Sequence, residues 1–200
     1  MITNLQKVYP NPWIRAEEIL KKDGVVVLPT DTLYGIIGSA MSKKAVEKIY
    51  NIKGRDENKP FIVLINSFEQ LKIFGIKITK DQAKIFGKFW PGKVSVVLPT
   101  LSKKWDYLHR GENTIAFRMV GQKNKNLFDL IDKIGPVVAP SVNKQGEKPA
   151  ETIKEAKNYF ENNVDLYINT GVRKSLPSTI VKFENDKIVI LRQGQTKIKI

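Results

Sequence analysis

The chain has 200 residues, of which 34 are Lys or Arg and 20 are Asp or Glu, so its formal net charge is +14. Its hydrophobic fraction of 42% is ordinary for a globular protein of a size that buries a core without covalent cross-links. The absence of cysteine excludes disulfides, thiolate catalysis and cysteine-ligated metals. The chain contains no stretch of about 18 apolar residues, so no membrane span is predicted. The segment MITNLQKVYPNPW lacks the apolar run of a signal peptide, and we therefore expect a cytoplasmic protein.

Short apolar runs alternate with segments of helical periodicity, which predicts an α/β protein. The last two predicted strands flank the turn signal Glu184-Asn185-Asp186 and are expected to form an antiparallel hairpin. Because hairpin and crossover signals coexist without a repeat or long linker, we expect one domain over residues 1–200 with a mixed sheet. The predicted strands are 25–29, 61–65, 94–98, 114–119, 136–140, 166–169, 179–183 and 187–192.

Predicted helices lie between these strands. The segment 43–53 has Ser42 as a possible N-cap and a continuous apolar face made by Ala45, Val46, Ile49, Tyr50 and Ile52. Thr79 and Thr152 are suitable N-caps for two further helices. The other predicted helices are 14–22, 67–73, 80–89, 124–134 and 152–162.

Polar residues follow the first predicted strand in the stretch PTDTLYG, where Thr30, Asp31 and Thr32 come directly after Pro29. Sites in α/β proteins commonly lie where strands end. From residue types alone, a strand terminator followed by a hydroxyl-rich turn explains this stretch equally well.

A second polar cluster, KGRDENKP, precedes the strand at 61–65. Lys53 as a point charge and Arg55 as a bidentate fork are suited to a polyphosphate. A solvated loop between a helix and a strand fits the same residues. The cluster is not a Walker loop, since no GxxxxGK followed by Ser or Thr occurs in the chain.

Later motifs also lie at strand ends. WPGK at 90–93 predicts a tight turn, and PSVN, PST and RQG follow or end other strands. Alternation along the strand at 114–119 places Thr114 and Arg118 on one face, and an arginine there needs an anionic partner from the protein or a ligand. His109 is the only histidine, so neither a metal site nor a Ser-His-Asp triad is indicated.

The order of seven motifs, PTDTLYG, KGR, WPG, TIAFR, PSVN, PST and RQG, resembles the YrdC/TsaC family of threonylcarbamoyl-adenylate synthases in its single-domain form, over residues 14–194. The resemblance implies a YrdC-like twisted mixed sheet with flanking helices around a concave basic cavity. It implies a nucleotidyltransferase that condenses L-threonine, bicarbonate or CO2, and ATP with its Mg²⁺, into threonylcarbamoyl-AMP and pyrophosphate. A partner complex would then use this product to form t6A at tRNA position 37.

The resemblance also assigns site residues by position in this chain. Lys53 and Arg55 are the implied catalytic residues, and Arg118 is the implied contact of the threonine carboxylate. No metal ligand and no general base are assigned. The implied ATP-binding residues are Lys53, Arg55, Thr114, Ser141, Asn143 and Arg192. The implied threonine-binding residues are Thr30, Thr32, Arg118 and Ser178.

Three positions depart from the family pattern. Val142 stands where alanine is usual between the serine and the asparagine, so we expect a more crowded loop. Asp56 stands where proline is usual after Lys-x-Arg, and Glu151 stands where a nucleotide-contacting hydroxyl is common, with Thr152 beside it.

Two other functions are compatible with the sequence. The charge of +14 would suit a non-catalytic protein of the same fold that binds double-stranded RNA or tRNA, although the lysines are spread along the whole chain. A YciO-like relative would act on another acceptor, but such proteins tend to lack the serine–asparagine pair found here. The related hydrogenase-maturation domain lies in a longer chain with zinc-finger cysteines, and this chain has no cysteine.

Overall fold

The computed structural model describes residues 11–184 and 187–198. Within these residues the strands are β1 (Val26–Pro29), β2 (Tyr34–Ser39), β3 (Val63–Ile65), β4 (Val94–Pro99), β5 (Thr114–Met119), β6 (Val137–Val138), β7 (Leu166–Tyr167), β8 (Thr179–Glu184) and β9 (Lys187–Arg192). They form one sheet in the order β7-β1-β2-β6-β3-β5-β4-β8-β9. The pairs β1–β7, β3–β5 and β4–β8 are parallel and the others are antiparallel, which confirms the predicted mixed sheet.

The helices begin at the predicted caps. Ser42, Thr79 and Thr152 each accept a backbone N–H bond at a helix start. The predicted helix 67–73 is instead a 3₁₀ helix at Glu69–Phe74, which has no side-chain cap and ends at Gly75 in the left-handed conformation. The α-helices are α1 (Pro12–Leu20), α2 (Lys43–Lys53), α3 (Lys80–Phe86), α4 (Asp106–His109), α5 (Lys125–Ile134) and α6 (Ile153–Phe160).

Strand β2 was not predicted from the sequence. Its residues YGIIGS follow a hydroxyl-rich turn and contain two glycines, a residue type depleted in strands. The whole strand is nevertheless buried between β1 and β6. A Cβ on Gly38 would lie 2.9 Å from Ile49 Cδ1 and 3.2 Å from Ala45 Cβ, so the lack of a side chain at this position lets α2 pack closely on the sheet.

The hairpin predicted at the C-terminal end is confirmed, since β8 and β9 pair antiparallel. Of its predicted turn, Asn185 and Asp186 lie outside the described residues. Several strands are shorter than predicted: within the run 61–65 the strand is Val63–Ile65, and within 136–140 it is Val137–Val138. Backbone hydrogen bonds nevertheless continue beyond these strands, as from the Ala139 N–H to the Ile62 carbonyl.

The sheet is covered by helices on both faces, which confirms the α/β class. Alternate residues of β1 point to opposite faces, so Val27 lies in one buried cluster and Val26 in the other. The cluster containing Val26 includes apolar residues of α1 and α5. The cluster containing Val27 includes those of α2, α3 and α6. No helix in the described ranges 11–184 and 187–198 is long and apolar enough to cross a membrane. The expectation that no signal peptide is present was based on residues 1–13, of which residues 1–10 lie outside these ranges.

The chain beyond β9 packs closely on the segment that leads into β8. The Gly194 N–H donates to Thr179 Oγ1 at 3.0 Å, and the Gln195 N–H donates to the Pro177 carbonyl at 2.8 Å. A Cβ on Gly194 would overlap the Pro177 carbonyl oxygen and lie 2.6 Å from the Ser178 carbonyl oxygen. Glycine at this position therefore allows two backbone segments to touch.

We expect Gly194→Ala to lower the free energy of unfolding by about 1–3 kcal/mol, because the added methyl group forces the two backbones apart. Denaturant unfolding measures the change. Gly87→Ala is the control: Gly87 has φ −60° at a helix end, where alanine is allowed, and we expect a change below about 1 kcal/mol. Equal stability of Gly194→Ala and the unsubstituted protein would contradict the close packing.

Candidate active site

The turn between β1 and β2 is built by its own threonines. The Thr30 hydroxyl donates to the Leu33 carbonyl at 2.7 Å and accepts from the Thr32 N–H at 3.2 Å. Among the described residues the Thr32 hydroxyl contacts only the Thr30 hydroxyl, at 3.2 Å. Thr30 therefore shapes the turn, and Thr32 keeps hydrogen-bonding capacity for a ligand.

This turn lies at one side of a cavity of about 170 Å³. Residues from six separate parts of the sequence meet there. Apolar parts of the wall come from Tyr34, Phe61, Pro140 and Ile180. The lining includes seven of the ten residues assigned from the sequence: Thr30, Thr32, Arg55, Arg118, Ser141, Ser178 and Arg192.

Among the described residues, three arginines and no carboxylate line this cavity. Burial lowers the pKa of Arg118, and the Asp31 carboxylate opposes that shift. Burial, followed by the charge of Arg118, lowers the pKa of Arg192, so the two arginines are close enough to repel each other. An anionic ligand would relieve this repulsion, and the cavity is therefore suited to carboxylate or phosphate groups.

Arg118 already has a protein partner. Its Nη2 lies 2.8 Å from Asp31 Oδ1, and both side chains are about 95% buried, with exposed fractions of 5% and 4%. The contact is not aligned as a hydrogen bond, and Arg118 Nε has no hydrogen-bond partner in the described part of the chain. The sequence analysis predicted an anionic partner for Arg118, and Asp31 is that partner. The Nε–H of Arg118 remains without a hydrogen bond in the described residues.

The same ion pair shows that the sheet is curved. Asp31 follows β1, and β5 carries Arg118 four positions away in the sheet order. Strands about 4.8 Å apart would separate these positions by roughly 19 Å in a flat sheet. Direct contact therefore requires the sheet to curl and the Thr30–Leu33 turn to fold over its concave side.

Lys53 does not line the cavity. It is 2% exposed, and its Nζ donates to the carbonyl oxygens of Ser141 and Asn143, at 2.6 Å each. Asn143 Oδ1 is a third acceptor at 3.4 Å. Burial, with a smaller effect of the Arg55 charge, lowers the pKa of Lys53 to about 7. Only the protonated amine has a donor for each of three acceptors, so the ammonium form holds the Ser141–Asn143 loop.

Asn143 closes this loop from within. Its Oδ1 accepts from the Ser141 hydroxyl at 2.7 Å, and its Nδ2 donates to the carbonyls of Lys144 and Glu147. Of the loop residues assigned to phosphate binding, only Ser141 reaches the cavity lining.

Thr114 is the third assigned residue outside the lining. It begins β5, on the same face as Arg118 but four residues away, which is about 13 Å along a strand. The structure therefore does not bring Thr114 into the cavity.

The departures from the family pattern have structural partners. Val142 is fully buried in the core, and its backbone pairs with Tyr34 and Ala150, so its larger side chain points away from the cavity. The Asp56 N–H donates to Gln145 Oε1 at 2.7 Å, which ties the Arg55 loop to the Ser141 loop. The Glu151 carbonyl accepts a hydrogen bond from the Arg173 N–H at 2.7 Å.

Sequence reasoning missed two residues that shape the site. Tyr34 belongs to the cavity lining, and its hydroxyl donates to the Gly171 carbonyl at 2.7 Å and accepts from the Thr170 N–H at 3.0 Å. Ser95 is fully buried, and its hydroxyl lies 2.9 Å from that of Ser178. A single serine within the apolar strand VSVVLP was the available signal for Ser95.

The fold and cavity define an α/β protein with a binding site for small anionic ligands. The family model of Sua5, YciO and YrdC proteins, described as telomere recombination, matches residues 18–194. The chain therefore belongs to this family, as the motif order predicted.

The relatives include named enzymes. Threonylcarbamoyl-AMP synthase of Pyrococcus abyssi is 29% identical over 181 residues, which are 90% of this chain and 53% of that protein. The enzyme of that name from Buchnera aphidicola is 29% identical over 175 residues, 86% of this chain and 98% of its own. The chain thus spans about half the length of the first relative and nearly all of the second.

Solved structures show the same fold. P. abyssi Sua5 complexed with L-threonine superposes with a TM-score of 0.82 at 29% identity, over 91% of this chain and 54% of the other. Escherichia coli YciO superposes with a TM-score of 0.81 at 24% identity, over 94% of this chain and 91% of the other, which shows the fold alone.

We expect Asp31→Asn to lower the free energy of unfolding by about 3–5 kcal/mol, because it leaves the buried Arg118 charge without a partner. Asp129→Asn, which removes an exposed ion pair with Lys125, should cost less than about 1 kcal/mol. Denaturant unfolding measures both. Equal losses in the two variants would show that the Asp31–Arg118 pair does not hold the turn.

Substitution of Lys53 and Arg55 should have different effects on stability. Lys53→Met leaves two loop carbonyls without a donor and should cost roughly 1–3 kcal/mol for each carbonyl that stays buried. Arg55→Met removes a partly exposed side chain and should cost less. Denaturant midpoints of the two variants decide this, and a stable Lys53→Met protein would contradict the bridging role.

Proposed function

We propose that the protein is a threonylcarbamoyl-AMP synthase that joins L-threonine, bicarbonate or CO2, and ATP, and releases pyrophosphate. The observation that carries this proposal is the convergence of Arg55, Arg118 and Arg192 with hydroxyl side chains on one cavity, which no carboxylate from the described part of the chain lines. Two relatives of this name, and threonine in the P. abyssi complex, support it. The product would pass to a partner complex for t6A formation in tRNA.

The buried end of the cavity suits L-threonine. A volume of about 170 Å³ is below the roughly 300–1,000 Å³ of drug-sized ligand sites, so this space fits a small amino acid. The Arg118 guanidinium lines this space and is suited to the carboxylate, and the Thr32 hydroxyl is suited to the amine or hydroxyl of the substrate.

The more open side suits the phosphates of ATP. Arg192 is exposed, Arg55 and Ser141 are partly exposed, and all three line the cavity. Guanidinium groups bind phosphate oxygens in a bidentate manner, and the serine hydroxyl adds a further donor. The nucleotide itself would extend beyond the cavity, since it is larger than the enclosed space.

The proposed reaction has two steps. The neutral amine of threonine attacks CO2, forms the N–C bond of a carbamate and releases a proton. A carbamate oxygen then attacks the α-phosphorus of ATP, and the bond to the pyrophosphate oxygen breaks. Both steps gather negative charge beside the arginines, so pre-positioned cations can stabilise the transition states. No residue is assigned as the general base.

The residues of the cavity do not form a site for Mg²⁺ of their own. No carboxylate lines the cavity, and residues 11–184 and 187–198 contain no group of three or more His, Cys, Asp or Glu side chains that could hold a metal ion. We therefore propose that Mg²⁺ enters with ATP, bound to its phosphates.

RNA binding without catalysis is the second candidate, because the net charge is +14. Tight binding to tRNA that weakens with salt, without any turnover of ATP, would favour it. The small, arginine-lined cavity favours the synthase instead, since an RNA surface does not need a small pocket.

The test is mass spectrometry of the protein with ATP, Mg²⁺, bicarbonate and threonine, and we expect the mass of threonylcarbamoyl-AMP. Arg192→Met should lower the rate of pyrophosphate release about 10²-fold, as expected for loss of one charge-stabilising contact. Lys182→Met, which removes a cation of β8 outside the cavity, should leave the rate unchanged. Absence of the threonylcarbamoyl-AMP mass, or equal rates of pyrophosphate release in Arg192→Met and Lys182→Met, would overturn the proposed function.

A further inference from the structure

A stack of four side chains leads from the protein surface to the cavity. The Arg110 guanidinium carbon lies 4.0 Å from the centre of the Tyr50 ring, and the Tyr50 and Phe61 rings are 4.0 Å apart with an interplanar angle of 24°. The Arg55 guanidinium carbon lies 5.3 Å from the centre of the Phe61 ring. Phe61 and Arg55 line the cavity, whereas Tyr50 and Arg110 do not.

Tyr50 and Arg55 are also joined through one carbonyl group. The Tyr50 hydroxyl donates to the Lys59 carbonyl at 3.1 Å, and Arg55 Nε donates to the same oxygen at 3.0 Å. The other bond of Arg55, from Nη2 to the Pro60 carbonyl, is long at 3.5 Å. The orientation of Arg55 therefore depends mainly on where the Lys59 carbonyl is held.

The Lys59 carbonyl belongs to an exposed part of the chain. Residues 57–59 are exposed, whereas Tyr50 is 2% exposed and lies on α2, packed in the core. Tyr50 thus links a loop oxygen to a rigid helix. Burial raises the pKa of Tyr50, so its hydroxyl remains a neutral donor at physiological pH.

The two ring faces complete the arrangement. Each arginine of the stack lies over an aromatic ring, and the negative face of the ring attracts the cation. Arg110 is itself held by Glu47, with Nη2 2.9 Å from Oε2. The stack is therefore anchored at its outer end, and its inner members, Phe61 and Arg55, line the cavity.

We propose that Tyr50 is a positioning residue that holds Arg55 in the orientation needed for a phosphate group. The inference rests on the proposed function, in which Arg55 contacts the phosphates of ATP. Tyr50 acts through the shared Lys59 carbonyl and through the Phe61 ring, and does not touch the substrate.

Tyr50→Phe tests the hydroxyl alone, since phenylalanine keeps the ring stack. We expect the KM for ATP to rise about 2- to 10-fold, the effect of losing one hydrogen bond, with an unchanged KM for threonine. Tyr107→Phe is the matched control, because the Tyr107 hydroxyl also donates to a backbone carbonyl, that of Ala40 at 2.9 Å, outside the cavity. If Tyr50→Phe only reduces the amount of folded enzyme, kcat falls and both KM values stay unchanged. That result would overturn the inference.

A double-mutant cycle separates positioning from an independent effect. In the Arg55→Met background, Tyr50→Phe should not change the KM for ATP further, because the group that Tyr50 positions is gone. Additive effects of the two substitutions would overturn the inference.

The orientation of Arg55 can also be measured without catalysis. We expect a slowly exchanging Arg55 Nε–H signal in ¹⁵N NMR spectra, assigned by its loss in Arg55→Met, and faster exchange in Tyr50→Phe than in Tyr107→Phe. If the unsubstituted protein makes no threonylcarbamoyl-AMP, the proposed function fails, and this signal alone decides the positioning role. Equal exchange in Tyr50→Phe and Tyr107→Phe would overturn it.

Discussion

The ion pair between Asp31 and Arg118 is the contact on which the geometry of the site depends. It joins the turn after β1 to β5 across three intervening strands, so the sheet has to curve around the space between them. A buried pair of this kind is weak evidence of net stability, because both charges lose their hydration. Its structural effect is specific, however, since leaving either charge alone is costly. The cavity exists because the two ends of this pair meet.

Cations have two different uses in this protein. Lys53 is buried, and its ammonium group donates to protein carbonyls and holds the Ser141–Asn143 loop. Arg118 holds the β1–β2 turn through its ion pair with Asp31 and also lines the cavity. Arg55 and Arg192 are less buried, and their guanidinium groups face the cavity. A sequence motif such as Lys-x-Arg therefore contains one architectural residue and one ligand-facing residue. The two share a helix end, because α2 ends at Lys53 and Arg55 lies in the loop beyond it.

Much of the fold was predictable from local pattern. Helix α2 matches its predicted ends because Ser42, the apolar face and Gly54 all specify the same helix. Strand β2 was missed because its two glycines are explained only by contacts with α2 and with Thr30, which lie elsewhere in the sequence or across the turn. At the site, the residue types and their order indicated the family, and seven of the ten assigned residues meet in one cavity. The orientation of Lys53, Asn143 and Thr114 could not be read from spacing, since it depends on which acceptors the folded loops present.

The sequence by itself determined the α/β class, the family and the chemical character of the site, because motif order and residue types are properties of the chain alone. Tertiary structure decided which cations are free for a ligand. That choice depends on burial and on carbonyl groups supplied by distant segments, such as those of Ser141 and Asn143 for Lys53. Backbone oxygens are the same in every residue, so no sequence pattern records which of them a buried ammonium or guanidinium group will meet.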